Sequence, residues 1–479
     1  MGFAHALAFA SAFFPLFSRA APRNTGCRYA APLRRPHVCR HNALMRHLLA
    51  FALVLAAPAS ARPPSLVPAD APELAAPGSA PVGTHEVRFT AAQGRDLGIT
   101  LFYPAATQGP ATTYRHVIDN PPKGIPAEIA FEAIATTDAA PAPGAQRPTI
   151  LLSHGLGRWS TAMSGMAENL ASKGYVVASI DHDDRGAMNP GTRLAAFATS
   201  VVRRSADQRA AIEWLKSPQN PMAAQVDPAN IAIIGYSMGG FGALATTGAG
   251  YARSGPVMGQ MPAAAMQAAL EPVTPALGVR AVVLIAPWGG AAATRAFTPE
   301  GVAGLKMPSL WIMGDKDDVA GADGIAWLHD NAVNSDRRLL VFANARHNLG
   351  GNPPPASAPD THRLRDALDE PVWRKDMADA IIFRTLTAFL DMTLKGDATR
   401  AAYLDAGTDG ALKGFQPRWQ LGIAASHTPA HSVRKRLPAQ ALPPSLPARP
   451  ASMPRMVLPT YRARRRQSTP RDTRRHPAP

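Results

Sequence analysis

The stretch Ile231-Ala232-Ile233-Ile234-Gly235-Tyr236-Ser237-Met238-Gly239-Gly240 constrains this chain more than any other. Four apolar, mostly β-branched residues run into Gly-x-Ser-x-Gly, and Phe241-Gly242-Ala243-Leu244-Ala245 then reads as a helix. A chain that passes from buried strand to helix in so few residues holds its central residue in a strained turn. Side chains two positions before or after that residue would collide with neighbouring backbone, so glycine is required there. The Ser237 hydroxyl is left above the sheet at a helix N-terminus, where backbone amides favour developing negative charge. Gly-x-Ser-x-Gly is a weak pattern in a chain with 38 Gly. Its place between a strand run and a helix makes Ser237 a candidate nucleophile.

The formal charge of +16 over 479 residues suggests a polyanion partner until its distribution is read. Residues 1–44 carry +6 and residues 428–479 carry +11, which leaves residues 45–427 at −1. The body is neutral, so no nucleic-acid partner is expected for it. The basic Pro/Arg-rich tail leaves open weak contact with an anionic surface. From Met45 the chain reads Met-Arg-His, then an apolar run over 48–57, then Pro58-Ala59-Ser60-Ala61. A basic start, a short apolar run and a small-residue end predict a secretory signal peptide over 45–61. The expected localisation is exported, periplasmic or secreted. Residues 1–44 then read as a mis-assigned or transit-like extension. Both cysteines, Cys27 and Cys39, precede the cleavage site, so the mature chain is expected to lack thiolate chemistry and disulfides.

Residues 62–83, rich in Pro and Ala, read as a linker, residues 84–423 as one catalytic domain, and residues 424–479 as a disordered basic tail. Strands are expected at 84–90 and 97–103, whereas 104–148 shows no clear period except near 127–134. Further strands are expected at 149–152, 175–180, 231–234, 279–286, 308–313 and 338–342. Helices are expected at 159–173, 193–216, from 238, 322–333 and about 370–394. The alternation predicts an α/β fold with a mainly parallel central sheet and helices on both faces. The Met- and Ala-rich segment 251–278 reads as a helical insertion or part of an apolar pocket.

A serine hydroxyl needs a base, and neutral imidazole suits the task. In enzymes with this turn the acid and the histidine follow the serine, on loops after later strands. His347 follows the strand at 338–342. After the preceding strand, Gly314-Asp315-Lys316-Asp317-Asp318-Val319 offers three acids; Asp317 is the first choice and Asp318 the alternative. For the oxyanion, the amides of Met238 and Leu156 are expected donors, Leu156 lying in the flexible Gly155-Leu156-Gly157 loop. His154 is expected to brace that loop. The chemistry calls for no cofactor and no metal.

Together Ser153-His154-Gly155-Leu156-Gly157, Ile180-Asp181-His182-Asp183-Asp184-Arg185, Gly235-Tyr236-Ser237-Met238-Gly239-Gly240, the 314–319 loop and Ala345-Arg346-His347-Asn348 resemble the α/β-hydrolase superfamily. Within it the chain is similar to the bacterial group related to platelet-activating-factor acetylhydrolase and dienelactone hydrolase. The resemblance covers about residues 84–423 and implies hydrolysis of a small-molecule or lipid carboxylic ester through an acyl-serine. Dienelactone hydrolases carry Cys where Ser237 stands. The acetylhydrolase branch places its acid after the earlier strand, where this chain has Ala286 and Trp288. Cutinase-like polyester hydrolases share a similar Gly-x-Ser-Met-Gly turn. An amidase or peptidase with the same three residues, and a silent hydrolase-fold binding protein, are the alternative readings. Oligomeric state and acyl-chain length have no signature.

Overall fold

The computed structural model describes residues 71–404, apart from 92–93, 190 and 263–277, together with the backbone of 421–425. The expectations for 1–44, 45–61, most of 424–479 and the greater part of the 251–278 insertion fall outside these residues. In chain order the strands are β1 (Val82–Thr90), β2 (Asp96–Pro104), β3 (Thr113–Val117), β4 (Glu128–Glu132), β5 (Thr136–Thr137) and β6 (Arg147–Ser153). They continue with β7 (Val176–Asp181), β8 (Val226–Tyr236), β9 (Val279–Ile285), β10 (Ser309–Gly314), β11 (Arg337–Phe342) and β12 (Leu421–Ala425). The helices are α1 (Ser164–Ser172), α2 (Arg193–Lys216), α3 (Met238–Thr246), α4 (Pro299–Val302), α5 (Ala322–Asn331), α6 (His362–Leu368) and α7 (Lys375–Leu394).

One ten-stranded sheet runs β12-β11-β10-β9-β8-β6-β7-β2-β1-β5. The six strands from β7 to β11 pair in parallel. The inner strands hold continuous apolar runs because both faces are covered, as Ile231–Ile234 and Ala281–Ile285 illustrate with 0 % exposure throughout, whereas β11 alternates between buried and half-buried residues. Antiparallel β1–β2 and β12 extend the two sides. Strand order reverses between β6 and β8, so right-handed crossovers put α1 and α3 on opposite faces. Helix α1 packs with α7, and α2 packs with α3. The reversal leaves a crevice at the carboxyl ends of β6 and β8, where open α/β sheets bind ligands.

Several boundaries differ from expectation for local reasons. The segment 104–148, read as lacking a clear period except near 127–134, forms the antiparallel hairpin β3–β4, with β4 inside that stretch and residues that alternate between buried and less buried. Each strand has only five residues, too few for the alternation to stand out among Pro and Thr. The helix expected at 159–173 begins as a 3₁₀ turn, Ser160–Met163. The one expected from 370 starts at Lys375, after Pro371, and the short α6 precedes it. From residue 71 the linker segment lies on α1, with the Gly78 amide donating to Ser172 Oγ at 2.8 Å and Asn169 donating to the Ala75 carbonyl at 3.0 Å. Among the described residues no helix is long and apolar enough to cross a membrane.

Candidate active site

Strand β8 delivers Ser237 to the crevice in a conformation that side-chain-bearing residues rarely adopt, φ 55° and ψ −114°. Such a residue costs on the order of 1–3 kcal/mol and persists only where its surroundings over-determine it. Here they do. The Ser237 amide donates to the Ile285 carbonyl at 2.9 Å, and the Ser237 carbonyl accepts from Phe241 at 3.0 Å and Trp288 at 3.2 Å. The flanking glycines are obligatory for steric reasons. A Cβ on Gly235 would lie 2.5 Å from the Gly239 carbonyl oxygen, and one on Gly239 would lie 2.0 Å from that of Ser153.

Strands β10 and β11 position the other two groups through backbone contact between their exit loops. A Cβ on Gly314 would lie 2.2 Å from the Ala345 carbonyl oxygen, so the loops touch main chain to main chain. The Lys316 amide donates to that carbonyl at 3.0 Å, and the Asn344 amide to Asp315 Oδ1 at 2.6 Å. This clamp brings His347 Nδ1 to 2.8 Å from Asp317 Oδ2 and His347 Nε2 to 2.9 Å from Ser237 Oγ. Asp317 Oδ1 accepts from the amides of Val319 at 3.0 Å and Ala320 at 2.8 Å. Burial alone would raise the Asp317 carboxyl, but the His347 ring and these hydrogen bonds hold it below the usual carboxylate range. An ionised Asp317 accepts a hydrogen bond from Nδ1–H, which keeps the ring proton on Nδ1 and leaves the Nε2 lone pair facing the Ser237 hydroxyl, an arrangement able to accept a proton from that oxygen. Tyr236 supports the imidazole, with ring centroids 5.3 Å apart and its hydroxyl donating to the His347 carbonyl at 3.2 Å. Of the other two acids in the 314–319 loop, Asp318 pairs with Arg346 and Asp315 holds Asn344.

The loop after β6 lies beside the serine, since a Cβ on Gly155 would come within 3.4 Å of Ser237 Cβ. Leu156, half-buried, is next in this loop, and Met238 opens α3. The first N–H groups of a helix have no intrahelical acceptor. His154 sits beneath, its Nδ1 donating to the Gly155 carbonyl at 2.6 Å and its Nε2 accepting from the His182 amide at 3.3 Å. Burial lowers it to about 4, so it is neutral and fixed in one tautomer.

Sequence reasoning missed what holds this loop from below. Ser153 Oγ lies 2.8 Å from His182 Nε2, and His182 Nδ1 lies 2.9 Å from Asp207 Oδ2. This is a second Ser-His-Asp chain, sealed at 0 %, 3 % and 5 % exposure. It has no route to a substrate, and its bonds join β6, β7 and α2. Its signal in the sequence is the polar set Ser200, Arg204, Asp207 and Gln208 within the helix expected at 193–216.

Around Ser237 the two sides differ in character. Trp288 packs edge-on against Phe197 and Phe241, and Gly157 lies against Met188 and Ala187. On the His347 side opens a cleft of about 420 Å³ lined by charged groups including Asp318, Arg346, Arg365, Asp366 and Asp369. A larger hollow of about 530 Å³, over β1, β2 and β3, is not lined by Ser237, His347 or Asp317. Among the described residues no group of three or more His, Cys, Asp or Glu is placed to hold a metal ion.

Residues 127–216 match the family model of platelet-activating factor acetylhydrolase, isoform II. The match runs from the residue before β4 to the end of α2 and takes in the 154–157 loop. With the mostly parallel sheet and the crevice at its strand reversal, the chain has an α/β-hydrolase fold and, over the matched residues, is similar to the platelet-activating factor acetylhydrolases.

Proposed function

We propose that this protein is an exported serine esterase that cleaves carboxylic esters through an acyl-serine intermediate. Ser237 Oγ attacks the ester carbonyl while His347 Nε2 takes its proton. The imidazolium, held by Asp317, then returns that proton to the departing alkoxide. The carbonyl oxygen becomes an oxyanion held by the Leu156 and Met238 amides, and one such donor is worth roughly 10²–10³ in rate. Water, deprotonated by the same histidine, releases the acid and restores Ser237.

The observation that carries this reading is the unbroken Asp317–His347–Ser237 hydrogen-bond chain ending on a serine held at positive φ. The apolar groups around Trp288 suit an acyl chain. The charged cleft beside His347 suits a polar alcohol portion, because the leaving group must lie on the side of the residue that protonates it. The export reading rests on the 45–61 segment of the sequence.

The test is turnover of p-nitrophenyl esters from acetyl to dodecanoyl, beside a matched anilide, by wild type and Ser237→Ala, with fluorophosphonate labelling. Ester turnover and labelling are expected in wild type only, with the anilide inert. A folded wild type that neither turns over any ester nor takes the label would overturn the proposal.

A further inference from the structure

Helix α2 buries a polar stripe where an amphipathic helix would bury apolar residues. Ser200, Arg204, Asp207 and Gln208 fall at i, i+4, i+7 and i+8, one face of a helix, and none is more than 5 % exposed. A buried guanidinium is unfavourable unless it is paired and its donors are satisfied. Arg204, 1 % exposed, meets that condition through its two Nη groups, which face Asp184 and the loop beside Ser237, while its Nε is buried without a hydrogen-bond partner.

One fork of its guanidinium donates from Nη1 to the His154 carbonyl at 2.7 Å and from Nη2 to the Gly155 carbonyl at 3.3 Å, while Nη2 also pairs with Asp184 Oδ2. Asp184 in turn accepts the Gly157 amide on Oδ1 at 3.0 Å and the Ser200 hydroxyl on Oδ2 at 3.0 Å. Burial would raise the Asp184 carboxyl, but Arg204 carries it below the usual range, so the pair is ionic. Two consecutive carbonyls and the amide two residues on are thus held by one ion pair, with His154 Nδ1 sharing the Gly155 carbonyl at 2.6 Å. The Leu156 N–H shares a peptide plane with the Gly155 carbonyl, and in a trans peptide the two point in opposite directions. With that carbonyl drawn toward α2, the Leu156 N–H is turned away from α2.

The same helix reaches the serine's own turn. Gln208 Nε2 donates to Ser153 Oγ at 2.9 Å and to the Gly239 carbonyl at 3.0 Å, and its Oε1 accepts from Thr246 Oγ1 at 2.7 Å. The approach is close enough that a Cβ on Gly242 would lie 2.8 Å from Arg204 Cβ and 2.8 Å from Gln208 Nε2.

We propose that Arg204, paired with Asp184, is the positioning residue of the oxyanion site: it sets the direction of the Leu156 N–H, while Gln208 fixes that loop's spacing from the first turn of α3, where Met238 lies. This inference rests on the esterase reading. A lysine cannot replace the fork, because its point-like ammonium does not present two coplanar donors to successive carbonyls.

The experiment compares the full-length wild type with Arg204→Lys and with the double variant Asp184→Asn/Arg204→Gln, which removes both buried charges together and leaves neither unpaired. Active sites are titrated with a fluorophosphonate, and kcat is expressed per titrated site. A role confined to stability would lower the number of sites and leave kcat per site unchanged. Arg204→Lys is expected to lose roughly 10²–10³ in kcat per site, the size of one lost oxyanion donor. KM should stay within about threefold, and the kcat pH midpoint should not move. Affinity for an alkyl boronic acid, whose tetrahedral serine adduct presents an oxyanion, should fall in parallel with kcat/KM. If neither variant folds, Ser200→Ala, which removes one bond from the Asp184 carboxylate, is expected to lose roughly three- to tenfold in kcat per site. Unchanged kcat per site in whichever of these variants folds, or a loss confined to KM, overturns the positioning role while leaving the esterase reading intact. A wild type inert toward esters and the label overturns both.

Discussion

Replacing Asp317 by Asn tests the proposed chemistry most sharply, because the structure dictates which way the new amide must face. Asp317 Oδ1 accepts two backbone N–H groups, from Val319 and Ala320, at 3.0 and 2.8 Å. Only an oxygen satisfies that position; an NH₂ there would confront two donors and forfeit two hydrogen bonds, about 1 kcal/mol each plus the cost of leaving both amides unpaired. The oxygen of the introduced carboxamide therefore stays on the backbone, and its NH₂ takes the place of Oδ2, 2.8 Å from His347 Nδ1. The NH₂ donates, so His347 Nδ1 must accept and the ring proton moves to Nε2. That proton then points at Ser237 Oγ, 2.9 Å away, and the base is lost. The imidazolium also loses its counter-charge. Together these are expected to cost about 10⁴ in kcat, or about 5.5 kcal/mol of transition-state stabilisation. The assay is steady-state hydrolysis of p-nitrophenyl butyrate at pH 7.5, with thermal unfolding as a check on folding. Asp318→Asn, whose carboxylate pairs with Arg346 instead, is the control and is expected to stay within about threefold of wild type. A folded Asp317→Asn protein within tenfold of wild type, or an Asp318→Asn protein as impaired as it, would refute the reasoning.

Gly239→Ala would drive a Cβ to 2.0 Å from the Ser153 carbonyl oxygen and 2.8 Å from that of His154, both backbone atoms unable to swing aside. It is expected to cost more than about 3 kcal/mol or to yield no soluble protein; a melting temperature close to wild type would contradict this. Glu168, which accepts from the Tyr114 hydroxyl at 2.7 Å and the Ile134 amide at 3.0 Å, is pushed up by burial from 4.5 to about 7. An acid raised on folding binds its proton more tightly in the folded state, so its contribution is fully present below about 4.5 and is lost as pH rises to about 7. The loss is on the order of 3 kcal/mol. Urea unfolding between pH 4.5 and 8 should show this decline in wild type and a flatter profile in Glu168→Gln; equal slopes would exclude Glu168 as its source.

The regular part of the fold was legible because its elements are long and their periods clear. Helix α2 spans Arg193–Lys216 as its pattern predicted, and the inner strands β6 to β10 carry apolar runs that only a sheet covered on both faces can use. The hairpin β3–β4 was legible only in part, since β4 lies within the 127–134 stretch that showed a period and β3 showed none. Five-residue strands carry too few alternations to be distinguished from loop, and their pairing joins residues as far apart as Thr113 and Glu132.

By itself the sequence determined the strand–turn–helix around Ser237, since a residue at positive φ between close-packed backbones admits only glycine at 235 and 239. It also determined the chain order of serine, acid and histidine, which needs nothing but strands in succession. Only the tertiary structure decided which acid of the 314–319 loop faces the imidazole, because that choice depends on how the exit loops of β10 and β11 meet at Gly314 and Ala345. It alone decided that two Ser-His-Asp chains exist and that one is sealed beneath the other, for burial belongs to the packed whole. The polar stripe of α2 makes the same point. Nothing in the sequence marks its four residues as buried, because the partners they need are brought from 153–157, 182 and 184 by the sheet.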